Sequence, residues 1–230
     1  MVCKQGNRKI FTFLQCNIKQ RGKLTVMQIE SLYRTEKEVL SDNLLLIYLT
    51  SKLQEADSSI CKTKDLVFLV EALSSNQRVR TFNYDFYSGK ESINSQGLSL
   101  DIDNLISEHI INPETSRLTQ HGEDVLKQCV EIFSENKNVM ETVDRIIDKY
   151  EKLTLGELNT KIDKGVLKEN GMETLVENIR EGENVFAPLP EYQTKSKFEI
   201  SDSWEATLDI LLDKQFYNEF CEVLKGAKIG

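Results

Sequence analysis

The 230 residues contain three prolines, Pro113, Pro188 and Pro190, and long stretches between them lack glycine as well. A helix interior tolerates proline least of all residues, so its scarcity leaves long segments free to be helical. The apolar spacing uses that freedom. In KTKDLVFLVEALS, Leu66, Leu69, Val70 and Leu73 recur at i, i+3, i+4 and i+7, the period of one helix face. VMQIESLYRTEKEVL and SDNLLLIYLTSKLQEA read as two more helices, the second capped by Ser41-Asp42 and carrying Leu45, Leu49 and Leu53 on one stripe. GLSLDIDNLISEHIIN turns Leu98, Ile102, Leu105 and Ile106 inward, and QHGEDVLKQCVEIFSENK, capped by Thr119, reads as one long helix. Between KTKDLVFLVEALS and GLSLDIDNLISEHIIN, RVRTFNYDFYSG alternates with aromatics, the pattern of a strand or extended loop. Two β-prone pieces around Pro113-Glu114-Thr115-Ser116 read as a small hairpin.

Helix, helix, strand, helix, hairpin, helix is the order of a winged helix, in which the third helix enters a DNA groove and the hairpin rides the backbone. The expected fold class is therefore mainly α with a small β-hairpin wing: a winged-helix-like domain, a helical extension and a C-terminal amphipathic tail. The boundaries fall at 1–26 for a basic N-terminal extension, 27–135 for the winged-helix-like domain and 136–183 for the extension. VMETVDRIIDKYEKL, TLGELNTKIDKGV and METLVENIREG supply the helices of that extension. NVFAPLPEYQTKSKFEIS, with its two prolines, reads as a semi-extended linker over 184–202, leaving 203–230 as the tail.

Charge and cysteine content narrow the function. The net charge is −8, yet Lys4, Arg8, Lys9, Lys19, Arg21 and Lys23 meet no acid before Glu30, so removing these six cations leaves −14 on the rest. Such a body repels phosphates, and DNA binding is expected to be weak. The basic start reads either as a DNA-contacting arm or as a stretch translated upstream of an internal start at Met27. Five cysteines, odd in number, widely spaced and without Cys-x-x-Cys, argue for reduced thiols in a cytoplasm. His109 and His121 are too few for a histidine metal site and read as surface or capping residues. No Gly-rich phosphate loop, nucleophile elbow or ligand cluster is present. Asp144 and Asp148 sit among Arg145, Lys149 and Lys152 as a salt-bridged solvent face. These features point to a protein that is not an enzyme and needs no cofactor or metal, with no membrane association.

Over about residues 42–165 the chain resembles the winged-helix-like family related to the Panacea antitoxin domain. The resemblance rests on Lys62, Thr63, Lys64, Leu66, Phe68 and Leu69, on Leu98, Asp101, Ile102, Leu105 and Ile110, and on Leu118, Thr119 and Gly122. The family's Tyr-Gly-Pro-Tyr-Ser element is replaced here by YSGKES. The terminal segment is similar to the toxin-binding tails of Phd/YefM- and RelB-type antitoxins, with Thr207, Leu208, Asp209, Ile210, Leu211 and Asp213 in register and Trp204 at the aromatic place.

These resemblances imply an antitoxin-like transcriptional regulator that holds a protein partner, a toxin, through its tail. The partner-binding residues would be Trp204, Leu208, Leu211, Phe216 and Phe220, spaced as groove-filling anchors. Nucleic-acid contacts, if made, would fall to Lys62, Lys64, Arg78, Arg80, Lys90 and, on the wing, Arg117, because Gln96 to Ile111 carries acids and no cation. The alternative is an interaction module that does not bind DNA, whose tail packs on its own helices or in a homodimer. Both readings need the tail's apolar stripe to be covered; they differ in what covers it.

Overall fold

The computed structural model describes residues 34–53, 59–90, 92–169 and 172–227. The basic extension over 1–26, and any part it plays, lies outside them. Helix α1 spans Glu36–Lys52 and α2 spans Ile60–Ser75. α1 starts on a capping box in which Thr35 and Glu38 bond each other's backbone N–H groups. One helix therefore runs through the place where Ser41-Asp42 were expected to start a second. Ser41 donates back to the Lys37 carbonyl, and Asp42 is wholly buried with long-range partners. Local capping at 41–42 loses to those tertiary bonds.

After α2 come β1 (Val79–Arg80), β2 (Phe86–Ser88) and β3 (Ile93–Asn94), then α3 (Gln96–Ser107). The aromatic stretch is extended as expected, and Phe82, Tyr84 and Phe86 are all buried. α3 ends with His109 at φ 56°, while the Ile110 N–H reaches the Leu105 carbonyl and the His109 N–H that of Ile106. That pattern closes the helix's last carbonyls. The wing follows as an antiparallel pair, β4 (Ile111–Asn112) and β5 (Arg117–Leu118), with Ile111 opposite Leu118. Asn112 Oδ1 accepts the N–H groups of Glu114 and Thr115 and tightens the turn.

α4 (Gln120–Gln128) and α5 (Val130–Glu135) replace the single long helix expected after the wing, and α6 (Lys137–Tyr150) is the first helix expected of the extension. Thr119 caps α4 through the Gly122 N–H. A Cβ at Gly122 would stand 2.5 Å from the Ile110 carbonyl, so this turn packs only with glycine there. The break before α6 falls at Asn136, whose side chain donates to the carbonyls of Ile132 and Glu199 and accepts the Glu199 N–H. The molecule is thus mainly helical with small strands and a hairpin wing, in the winged-helix order.

α7 (Leu155–Asp163) opens on a second capping box, Thr154 with Glu157. The next segment departs from expectation. β6 (Val166–Glu169) and β7 (Met172–Leu175) form a hairpin where METLVENIREG reads as a helix. Glu169 pairs with Met172, leaving the Asn170-Gly171 dipeptide between the strands, the residue pair that two-residue hairpins favour.

The stretch expected as a linker is laced into the core. β8 (Asn184–Phe186) adds antiparallel to β2, and β9 (Ser196–Lys197) pairs parallel with β1. Val185, Phe198 and Ile200 are buried. The chain closes with α8 (Asp202–Leu212) and α9 (Lys214–Ala227). α2 packs on α6 and α7, while α1 packs on α3, α4 and α8, so one apolar core joins the winged helix to everything after it. Among the described residues no helix is long and apolar enough to cross a membrane.

Candidate interaction site

The tail divides at Asp213. On α8, Leu208, Leu211 and Leu212 are buried and Trp204 is half-buried against the core. Three of the five expected partner anchors therefore face the chain's own core. α8 rests on α1, and at its start Lys37 pairs with Asp202 at 2.6 Å. That pair is exposed and contributes little, because water and salt screen it. The leucines hold the helix, at roughly 1.5–3 kcal/mol for each side chain buried.

On α9 the remaining anchors point outward. Phe216 is 55% exposed, Phe220 44% and Val223 68%. They recur at i, i+4 and i+7, which is one apolar stripe of the helix. Scattered exposed apolar residues are ordinary, but a stripe on one helix face is a contact surface without its complement.

The root of α9 is fixed in detail. Its first N–H groups are all engaged: Lys214 N–H donates to Glu108 Oε2 at 2.9 Å, those of Gln215 and Phe216 to Asp213 Oδ1, and that of Tyr217 to the Asp213 carbonyl. His121, on α4, sits behind this turn. Its Nε2 lies 2.7 Å from the Leu211 carbonyl and its Nδ1 3.1 Å from Lys214 Nζ. A carbonyl only accepts and an ammonium only donates, so Nε2 carries the proton and Nδ1 offers a lone pair. The Tyr217 ring packs on the imidazole, centroids 4.4 Å apart, and Lys214 Nζ lies over the Tyr217 ring at 5.6 Å. Burial holds His121 below its ordinary pKa of 6.5, and the Lys214 charge adds to that, with the Leu211 carbonyl, Asp124 and Glu108 opposing. Of the surface and capping roles expected, His121 takes the second: it is a buried clamp on a carbonyl in the last turn of α8.

The residues expected to touch nucleic acid do not share one surface role. Lys62 is buried, and Lys64 Nζ donates to Ser99 Oγ at 3.0 Å. Arg80 is held by Glu38 at 3.0 Å and by Glu191 at 3.6 Å. Arg78, exposed at φ 61° after α2, donates to the Gln193 carbonyl. Lys90 is exposed beyond β2, and Arg117 is half-buried on the wing. The outward positions of α3 are Gln96, Asp103, Asn104 and Ser107. None of these is a cation, and phosphate contacts need cations or strong donors.

Reading the sequence missed the most highly charged buried group. Arg34 Nη1 meets Asp42 at 2.5 Å and Asp101 at 2.7 Å, and Nη2 meets Asp101 at 2.9 Å. Tyr84 Oη donates to Asp101, the guanidinium lies over the Tyr84 ring, and Asn83 donates twice to Asp42. Burial opposes the Arg34 charge, but Asp101 and Asp42 outweigh it and raise its pKa. Burial pushes Asp42 up to about 7 against the pull of Arg34. A second buried carboxylate, Glu71, is pushed up to about 7 by burial while Thr81 and the Phe82 N–H bond one of its oxygens. Both groups are held by donors of the chain itself, so both read as structural. Their signal in the sequence was faint: charged residues on otherwise apolar faces, with partners 41 and 67 positions away. Among the described residues no group of three or more His, Cys, Asp or Glu is arranged to hold a metal.

No protein-family model, curated protein or solved structure matches the chain.

Proposed function

We propose that the chain is a non-catalytic regulator that holds a protein partner on α9, in the manner of an antitoxin holding its toxin. One observation carries this reading: Phe216, Phe220 and Val223 form an exposed apolar stripe on a helix whose root is pinned. A fixed root lowers the ordering cost of binding, since the helix axis is set before the partner arrives. The binding element is then 214–227, shorter than the whole tail, with α8 as its foundation. A partner groove would take the two phenylalanines as anchors, as amphipathic-helix ligands do.

Operator binding is the weaker half of the reading. With no cation on the outward face of α3 and Arg80 engaged by two carboxylates, affinity for random duplex DNA is expected to be low and to fall steeply with salt. The test of the main half is co-expression with the product of the adjacent gene, followed by co-purification. The expected result is a complex that Phe216→Asp with Phe220→Asp abolishes while the thermal midpoint holds. A complex indifferent to both changes would refute the reading. A dimer of the chain itself, lost in the same variant, would assign the stripe to self-association instead.

A further inference from the structure

His121 joins three elements at one point. It belongs to α4, bonds the last turn of α8 through the Leu211 carbonyl, and accepts from Lys214 in the first turn of α9. Between α8 and α9 only Asp213 is non-helical, with φ −96° and ψ 115°, so the corner is one extended residue long. Small rotations at one such residue swing a whole helix. On α9, Phe216, Phe220 and Val223 are exposed, while Lys214 and Tyr217 at its root make the contacts with α4.

We propose that His121 is the latch of a proton-gated hinge: the neutral imidazole holds α9 at its corner with α8, and protonation at Nδ1 releases it. The chemistry follows from the two bonds. Nε2 keeps its proton and its bond to Leu211 in either state. Nδ1 is the lone-pair acceptor for Lys214, and a proton placed there removes that acceptor and sets two cations about 3.1 Å apart. The groups facing the ring set the balance. Lys214 and Tyr217 come from α9, Asp124 from α4 and Glu108 from the end of α3, while α8 offers the Leu211 carbonyl. The two acids favour the imidazolium, but Glu108 is engaged by the Lys214 N–H. The repelled Lys214 ammonium is the mobile partner, and its departure removes the side-chain tie between α4 and the first turn of α9, leaving the Glu108 bond and the Tyr217 packing to hold the root alone.

The sign of the response is fixed. Burial keeps folded His121 below 6.5, so the unfolded or unlatched form binds its proton first as pH falls. The latch is fully closed above about 6.5 and opens as pH drops through the folded value. The hinge stands whether or not α9 carries a protein partner.

The experiment is NMR on the full chain, following the two imidazoles and the backbone relaxation of α9 between pH 7.5 and 5.5, with His109→Gln to assign the signals. The expected result is a His121 midpoint below 6.5, with α9 amides gaining fast motion across that same midpoint. His121→Gln should flatten the response of α9. Lys214→Met, which removes the repelled cation and leaves the imidazole in place, should move the His121 midpoint upward and weaken the coupling. If His121→Gln fails to fold, the Lys214→Met shift decides alone. Unchanged α9 relaxation through the His121 titration, or a His121 midpoint that ignores Lys214→Met, would overturn the proposal.

Discussion

α8 and α9 are adjacent, similar in length and both amphipathic, yet one is foundation and the other is surface. α8 sets Leu208, Leu211 and Leu212 into the core against α1, while α9 leaves Phe216, Phe220 and Val223 outside. Helical period shows that a stripe exists and needs covering. What covers it is decided by whether another part of the chain presents a complementary face, and the period of the helix holds no such information. The two helices separate those questions within 26 residues.

The largest effect that sharpens the contrast lies beneath α8. Arg34 fixes the approach to α1, the helix on which α8 rests. Arg34→Met would leave Asp42 and Asp101 buried without their cation, at a cost of about 3–5 kcal/mol. Chemical denaturation should show that loss at pH 8 and a smaller one at pH 5. Asp42, already raised to about 7 by burial, takes up a proton in the folded state as pH falls, which relieves the penalty. A loss independent of pH would mean that the carboxylates are not what the guanidinium neutralises.

Next comes the direct pair of truncations. Leu208→Ala should destabilise by about 2–5 kcal/mol, as buried leucine truncations do. Phe216→Ala, the larger deletion by volume, should stay within about 0.5 kcal/mol because its ring is already in water. Equal costs would erase the distinction between the helices. Smaller still is Asp202→Asn at the start of α8. Loss of its exposed pair with Lys37 should barely move the unfolding midpoint, and high salt should erase even that difference. A larger loss would mean that α8 is held by its end and not by its leucines.

What could be read ahead of the structure follows the same line. The helices whose apolar residues recur every three or four positions, including α2, α3 and α6, were legible from local pattern, and so was the wing around Pro113. METLVENIREG was misread because its spacing fits a helix while Asn170-Gly171 just before it signals a hairpin. The proline-containing stretch was read as a linker because Pro188 and Pro190 break helices. Yet Phe198 and Ile200 beyond them are buried, and its strands pair with partners about 100 residues earlier. The Arg34–Asp42–Asp101 group, with its faint local signal, and the His121 clamp, with none, are hard to read from sequence for one reason. Each is assembled from elements far apart in the chain, and nothing local marks His121 as the neighbour of Leu211 and Lys214.

The tail is half docked and half presented: α8 sits on the core and α9 stands out from it. Amide hydrogen exchange on the intact chain at pH 7.5 tests it most directly, read separately over Leu208–Leu212 and Glu219–Val223. The first segment should exchange only when the whole domain unfolds. The second should exchange through local openings at distinctly lower free energy, because few buried contacts hold it. Equal protection of both segments would show that α9 is packed and not presented. Equally fast exchange of both would show that α8 is not docked.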